Sequence, residues 1–292
     1  MPDWSLSLAV LILGLIGLIL GRVVAQSGIG PSIRRHSPWP ALIAMLPVMA
    51  VTLQSVGPDA SDLGLGAIVG VHVLGTLLAI STSSSARVEA EGVHHARSRA
   101  WSLMGAAVGV WGLAFDGRLG RVDGSVLVLL CLLYLIRMTW ATRQSASDTA
   151  HLTPPAGSRR RRWGLVARVC VGLTLLTMGA RVLAMGARDL ALVLDLDDWM
   201  LGLTLVAPVG VLAGWAPILF AGPQWSDGPS GRIAPSLAFD FSLINLLGLV
   251  GLTALTIPGG LPFTRETLLL SWPLVILMSI LAAAALRRAE PA

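Results

Sequence analysis

Asp240, Ser242 and Asn245 lie inside one apolar stretch, APSLAFDFSLINLLGLVGL (234–252). A carboxylate in hydrocarbon costs roughly 2.5–3.5 kcal/mol on insertion scales, so such an acid faces protein or a wet cavity and is read first as part of an ion or proton path. Ser242 and Asn245 are three residues apart and share a helical face, with Asp240 beside Ser242. His72, in DLGLGAIVGVHVLGTLLAI (62–80), is the natural partner for the acid, because a carboxylate and an imidazole exchange protons near neutral pH. Gln54 and Thr52 complete the ion- or proton-binding candidates. Each has a plainer reading. Asp240 is then an acid held neutral by its surroundings or bonded to Asn245 or Ser242, and His72 serves a nearby backbone or hydroxyl group. Ser242 and Asn245 become polar glue between helices.

Other chemistry is thin. No nucleophile elbow, P-loop, dinucleotide fingerprint or zinc-protease helix occurs, and Ser83 to Ser85 have no triad context. Glu89, Glu91, His94 and His95 in ARVEAEGVHHARSR are poorly spaced for a metal and read as a solvated loop. Cys131 and Cys170 sit in apolar runs, where packing is the expected role. No catalytic residue, metal site or cofactor is expected, and the chain is not read as an enzyme. Pro208, Gly210, Gly214 and Pro217 in WMLGLTLVAPVGVLAGWAPILFA predict a kinked or unwound helix whose freed carbonyls face an ion, or simply a kinked helix.

These residues need a scaffold that holds them in a bilayer. Of 292 residues 54% are hydrophobic and 13% charged, and the mean hydropathy is +0.76, which describes a polytopic membrane protein. The pI near 10.8 is therefore no sign of nucleic-acid binding. Nine apolar runs long enough to span a bilayer fall near 5–21, 39–56, 64–81, 100–115, 124–141, 163–184, 199–221, 234–256 and 267–286. The N-terminal run has an acid and no base before it, unlike a signal peptide, and reads as the first helix. All basic residues are arginines. Placing the N-terminus outside puts 14 of them in cytoplasmic segments (Arg22, Arg97 and Arg99 included) and four outside: Arg118, Arg121, Arg188 and Arg265. The positive-inside rule then predicts a multi-pass plasma-membrane protein with a cytoplasmic C-terminus. A polar linker over 142–162 separates a first half, 1–141, of about five helices from a second, 163–292, of about four. Its run Arg159 to Arg162 is a topology anchor, with anionic lipid as a further contact.

The halves resemble each other. LGRVVAQSG (20–28) parallels MGARVLAMGA (178–187), and the glycine-rich span at 62–80 parallels 234–252. Because the first half holds an odd number of spans, equivalent helices run in opposite directions. That inverted repeat is a transporter signature.

With these pieces on view, the chain resembles the cation/calcium antiporter superfamily, the sodium/calcium and calcium/proton exchangers. SPWPALIAML (37–46) and LVLDLDDWMLGLTLVA (192–207) are similar to the lead-ins of its two α-repeats. LAFDGRLGRVDGSVLVLLCLLYLI (113–136) and LPFTRETLLLSWPLVILMSIL (261–281) are similar to its later helices. The resemblance implies an all-α inverted-repeat membrane fold and antiport of cations. It also implies a GTSLPE-like motif on the second helix of each half and a GNxxGSNxxN-like motif on the third. Here the motif glutamate falls on Gln54 and Gly214 in one register, or on Val48 and Ile218 in the other. The serine–asparagine pair becomes Val71–His72 and Phe241–Ser242, and the last asparagine becomes Gly75 in one repeat and stays as Asn245 in the other. The family's tenth helix has no counterpart.

Calcium needs roughly 6–8 oxygen ligands with enough carboxylate to offset dehydration. One formal negative charge does not meet that need. The expectation is a degenerate exchanger-like secondary transporter moving a monovalent cation, Na+ or H+, through the lipid bilayer. The alternative is a non-transporting scaffold that kept the fold to bind a partner.

Overall fold

A computed structural model describes residues 4–27, 39–56, 61–85, 90–147, 159–220 and 235–288. Nine helices account for nearly all of the described residues: α1 (Trp4–Ser27), α2 (Trp39–Ser55), α3 (Ser61–Ser85), α4 (Ala90–Leu113), α5 (Arg121–Ser147), α6 (Arg159–Leu194), α7 (198–220), α8 (235–256) and α9 (267–288). Lipid offers no partner to an unpaired backbone amide, so apolar runs of this length have little choice but to be helical. Seven of the nine are long and apolar enough to cross a membrane, and α2 is a shorter apolar helix. The remaining one, α4, opens on the polar sequence AEGVHHARSR.

Three helices carry a π turn: Gly202–Val206 in α7, Asn245–Leu249 in α8 and Thr267–Ser271 in α9. In α7 and α9 the turn ends just before a proline, Pro208 or Pro273, whose missing N–H already interrupts the i→i−4 ladder. Among the described residues, a single short sheet also lies in the links. Arg118–Leu119 (β1) pairs antiparallel with Leu261–Pro262 (β2), tying the α4–α5 link to the α8–α9 link.

The centre belongs to α3 and α8. Of α8's span 94% is buried, and of α3's 72%, against 17% for α5. Around them α1 lies along α6, α2 crosses α7, and α4 packs on α9. Exchanging each helix for the one five places along preserves much of this pattern. The α3–α9 contact becomes α8–α4, α1–α7 becomes α6–α2, and α3–α7 becomes α8–α2. Small residues permit the closest approach, as helix pairs in lipid require. A Cβ on Gly179 of α6 would stand 2.7 Å from the backbone of Gly17 and Leu18 in α1. Outward faces of α1, α5 and α6 expose leucine, isoleucine and valine, the surface a bilayer covers.

Several expectations shift. The ARVEAEGVHHARSR loop is helical from Ala90, so Glu91, His94, His95, Arg97 and Arg99 stand on α4, while Glu89 lies outside the described residues. Alanine, glutamate and arginine are good helix formers, so a polar composition does not by itself make a loop. The 142–162 linker is encroached on from both sides, by α5 to Ser147 and α6 from Arg159; residues 148–158 are outside the description. Cys131 is buried, but Cys170 is exposed, because it lies on the outer face of α6.

The acids of LDLDDW cap helices. Asp195 takes a left-handed conformation (φ 53°) at the end of α6, where Leu196 N–H bonds the Ala191 carbonyl at 3.1 Å. Asp197 then caps α7, its Oδ1 accepting from Met200 N–H at 2.6 Å.

Candidate functional site

The six sequence candidates do not form one cluster. At the α3–α8 crossing, Asn245 Nδ2 donates to the Ile68 carbonyl at 3.0 Å, and its Oδ1 is buried without a partner. Ser242 Oγ is likewise buried and unpartnered, and it occupies the space that a side chain at position 75 would fill. A Cβ on Gly75 would come within 2.5 Å of it. Asn245 also opens the π turn of α8, a feature frequent at functional positions.

His72, near the middle of α3, turns to α9. Its Nε2 lies 3.0 Å from Ser279 Oγ and 3.2 Å from the Val275 carbonyl. A carbonyl only accepts, so Nε2 carries the proton. Nδ1 then presents a bare lone pair, fully buried and without a partner.

Thr52 is buried with an unpartnered hydroxyl one turn from the end of α2, and Gln54 beside it is exposed. Of the two first-half positions for the motif glutamate, Gln54 is therefore at the periphery. Val48 is the buried, mid-helix one, packed on Gly210 of α7. On the second half, Gly214 leaves no room for any side chain, since a Cβ would meet the Ala44 carbonyl at 2.2 Å. The side chain of Ile218 is outside the described residues.

Asp240 stands apart from these. It is five residues into α8, about 8 Å along the axis from Pro235, whereas Asn245 sits near the middle. The expected pair with His72 is not made. Asp240 Oδ2 accepts from Arg99 Nη1 of α4 at 2.8 Å, and Oδ1 accepts a short hydrogen bond from the Tyr134 hydroxyl of α5. The acid's side chain is 4% exposed and Arg99's 17%. Three helices thus meet on one carboxylate.

Sequence reading missed Arg99 and Tyr134. Arg99 was counted among loop arginines, although it abuts the apolar run that begins at Ala100. Tyr134 is the chain's single tyrosine, placed mid-span, a signal that was available. Two further arginines turn inward. Arg22, fully buried, donates to the Ala213 carbonyl at 3.2 Å, and Arg188 donates to the Ser55 carbonyl at 3.1 Å. Among the described residues no group of three or more His, Cys, Asp or Glu is placed to hold a metal ion.

With its two central helices, paired outer helices and inward polar residues, the bundle has the cation/calcium antiporter-like fold. Among solved structures it is similar to the H+/Ca2+ exchanger CAX, with a TM-score of 0.70 and 18% identity over 95% of this chain and 75% of that one. It is also similar to the sodium-calcium exchanger NCX_Mj. The form soaked with zero Na+ and Ca2+ gives a TM-score of 0.58 and 19% identity over 98% of this chain and 92% of that one. No family model and no curated protein sequence matches the chain.

Proposed function

We propose that the chain is a secondary transporter of the antiporter type that moves a monovalent cation or a proton and lacks a Ca2+ site. The observation that carries this reading is the scarcity of buried negative charge. Among the described residues Asp240 is the one buried acid, and it is already matched by Arg99. His72, Ser242, Asn245 and Thr52 add only neutral donors and acceptors. An isolated divalent ion would sit there with no compensating charge, at a cost of several kcal/mol. A single positive charge, traded against another at Asp240, leaves the charge of that site unchanged. The chain, with halves at 1–141 and 163–292 joined by the 142–162 linker, lies in a plasma membrane with the N-terminus outside and the C-terminus cytoplasmic. CAX and NCX_Mj, by their descriptions, are exchangers of H+, Na+ and Ca2+, which supports transport rather than enzymatic chemistry.

Flux in proteoliposomes under imposed Na+, K+, Ca2+ and H+ gradients tests the reading. Coupled movement of a univalent ion is expected. The Arg99–Asp240 neutralisation also suits a scaffold with no transport role, and absence of flux for every ion would select that reading. A C-terminal reporter active only in the cytoplasm checks the orientation.

A further inference from the structure

Asp240 is not the empty carboxylate expected of a cation site, because its cation is already present and covalently tethered. Arg99 holds it weakly for an arginine. The contact is one N–H to one oxygen, not a two-pronged fork, because Tyr134 occupies the other oxygen. The remaining guanidinium donors are poorly used: Nη2 reaches only the Met138 sulfur at 3.7 Å, and Nε has no partner. Arg99 is also the more exposed partner, at 17% against 4%, and its long stem gives it a route outward. When it leaves, Tyr134 remains to hold the carboxylate.

We infer that Asp240 is a cation-exchange site whose resident ion is the Arg99 guanidinium, displaced by an incoming ion of single positive charge. This rests on the transport reading only for what the ion does next. Charge balance sets the class of ligand. Asp240 with Arg99, with Na+ or K+, or with a proton is neutral in every case, so each replacement leaves the charge at Asp240 unchanged once the guanidinium has turned outward. Ca2+ would leave one uncompensated positive charge in a buried site. When the occupant is a proton, it binds Asp240 Oδ2, the oxygen Arg99 vacates. Other groups do not compete. His72 of α3 is turned to α9, and Cys131 of α5 packs at Gly248, two turns along α8. Among the described residues α2 brings no charged side chain to the core.

Tyr134 makes the test direct. As the only tyrosine, it gives a single resonance when the full chain is purified in detergent with 13Cζ-labelled tyrosine, and its hydroxyl reports on Asp240 Oδ1. Expected for the wild type is a shift on adding NaCl or KCl, or on lowering pH, but not on adding choline chloride at equal ionic strength. Which arm responds separates a metal cation from a proton. R99Q should respond at about tenfold lower concentration of the same ion, since a competitor holding the carboxylate about nine-tenths of the time lowers apparent affinity by that factor. R99K, which keeps the charge, should stay within about threefold of wild type. D240N should move the resonance once and then ignore every ion.

A resonance indifferent to Na+, K+ and pH in the wild type overturns the inference, and that measurement stands even if R99Q does not fold. So does a response to CaCl2 at lower concentration than to NaCl, or an ion response that survives in D240N. Binding without flux in proteoliposomes would leave this site standing and remove the antiporter reading. Flux with a silent Tyr134 would do the reverse.

Discussion

Arg22 donates to the carbonyl of Ala213, and the residue four places beyond Ala213 is Pro217. In an intact helix that carbonyl would accept the N–H of residue 217. Proline has none, so the arginine of α1 takes the vacant position on α7. Arg188 of α6 does the corresponding service for Ser55, whose carbonyl is among the four left open at the end of α2. Each contact joins the first helix of one half to the second helix of the other, although the paired stretches LGRVVAQSG and MGARVLAMGA match Arg22 with Arg181 rather than with Arg188.

The pairing predicts a coupling. Arg22→Ala leaves the Ala213 carbonyl unmet, a loss of about 1–3 kcal/mol, part of which is offset because a buried guanidinium with Nε and Nη2 unpartnered is also removed. Pro217→Ala restores the helical N–H, and in that background the loss of Arg22 should cost distinctly less. A double-mutant cycle by denaturant unfolding in detergent measures the difference, expected at 0.5 kcal/mol or more, on the order of a close-pair coupling. Strict additivity would mean that the contact carries no energy.

A second lock joins α4 to α9. Trp272 donates its indole N–H to the Ala107 carbonyl at 2.9 Å, and Trp111 donates to the Leu268 carbonyl at 3.2 Å. Each acceptor lies four residues before the other tryptophan. Trp272 is fully buried and stacks edge-on to Phe263, with ring centroids 5.2 Å apart. Trp272→Phe removes the hydrogen bond while keeping most of the packing, and should cost about 1 kcal/mol. Trp272→Ala also opens a cavity and should cost about 3–5 kcal/mol. Equal losses for both, read from unfolding midpoints, would show that packing contributes nothing beyond the bond.

The fold was legible because lipid makes it so. Nine apolar runs must become helices, and paired glycine-rich spans such as 62–80 and 234–252 point to the inverted repeat. The α4 boundary was not legible, since ARVEAEGVHHARSR reads as a solvated loop by its polarity, and the partner of Arg99 lies 141 residues away. The same long separation hid the site. Periodicity places Asp240, Ser242 and Asn245 on α8 but says nothing about which neighbour each meets. It turned His72 toward Asp240, when an α9 hydroxyl, Ser279, had the better geometry. Hydropathy reports the faces of helices; it does not report which faces touch.

Calcium gives a third prediction. Neither position for the motif glutamate holds an acid in either repeat, and Gly214 has no space for one. Calorimetry should therefore register no Ca2+ binding in the micromolar range. A clear micromolar isotherm would require a group of carboxylates that the described residues do not bring together.

The last prediction concerns the stability of the Arg99–Asp240 pair. Removing one member of a buried pair typically costs about 3–5 kcal/mol, because the other charge is left uncompensated. The two members differ in their escape routes. Arg99 is 17% exposed and can carry its charge outward, so Asp240→Asn should fall below that range, at about 1–2 kcal/mol. Asp240, at 4% exposure, cannot move, so Arg99→Gln should be the more damaging variant at low Na+ and neutral pH. The double variant removes both charges and should be more stable than Arg99→Gln alone. Raising Na+ or lowering pH should rescue Arg99→Gln selectively, because either ion supplies the missing positive charge. Unfolding midpoints for the three variants, in choline and in sodium chloride, decide the matter. An Asp240→Asn variant less stable than Arg99→Gln would mean that Arg99 is the trapped partner, and that the carboxylate is there to serve the arginine.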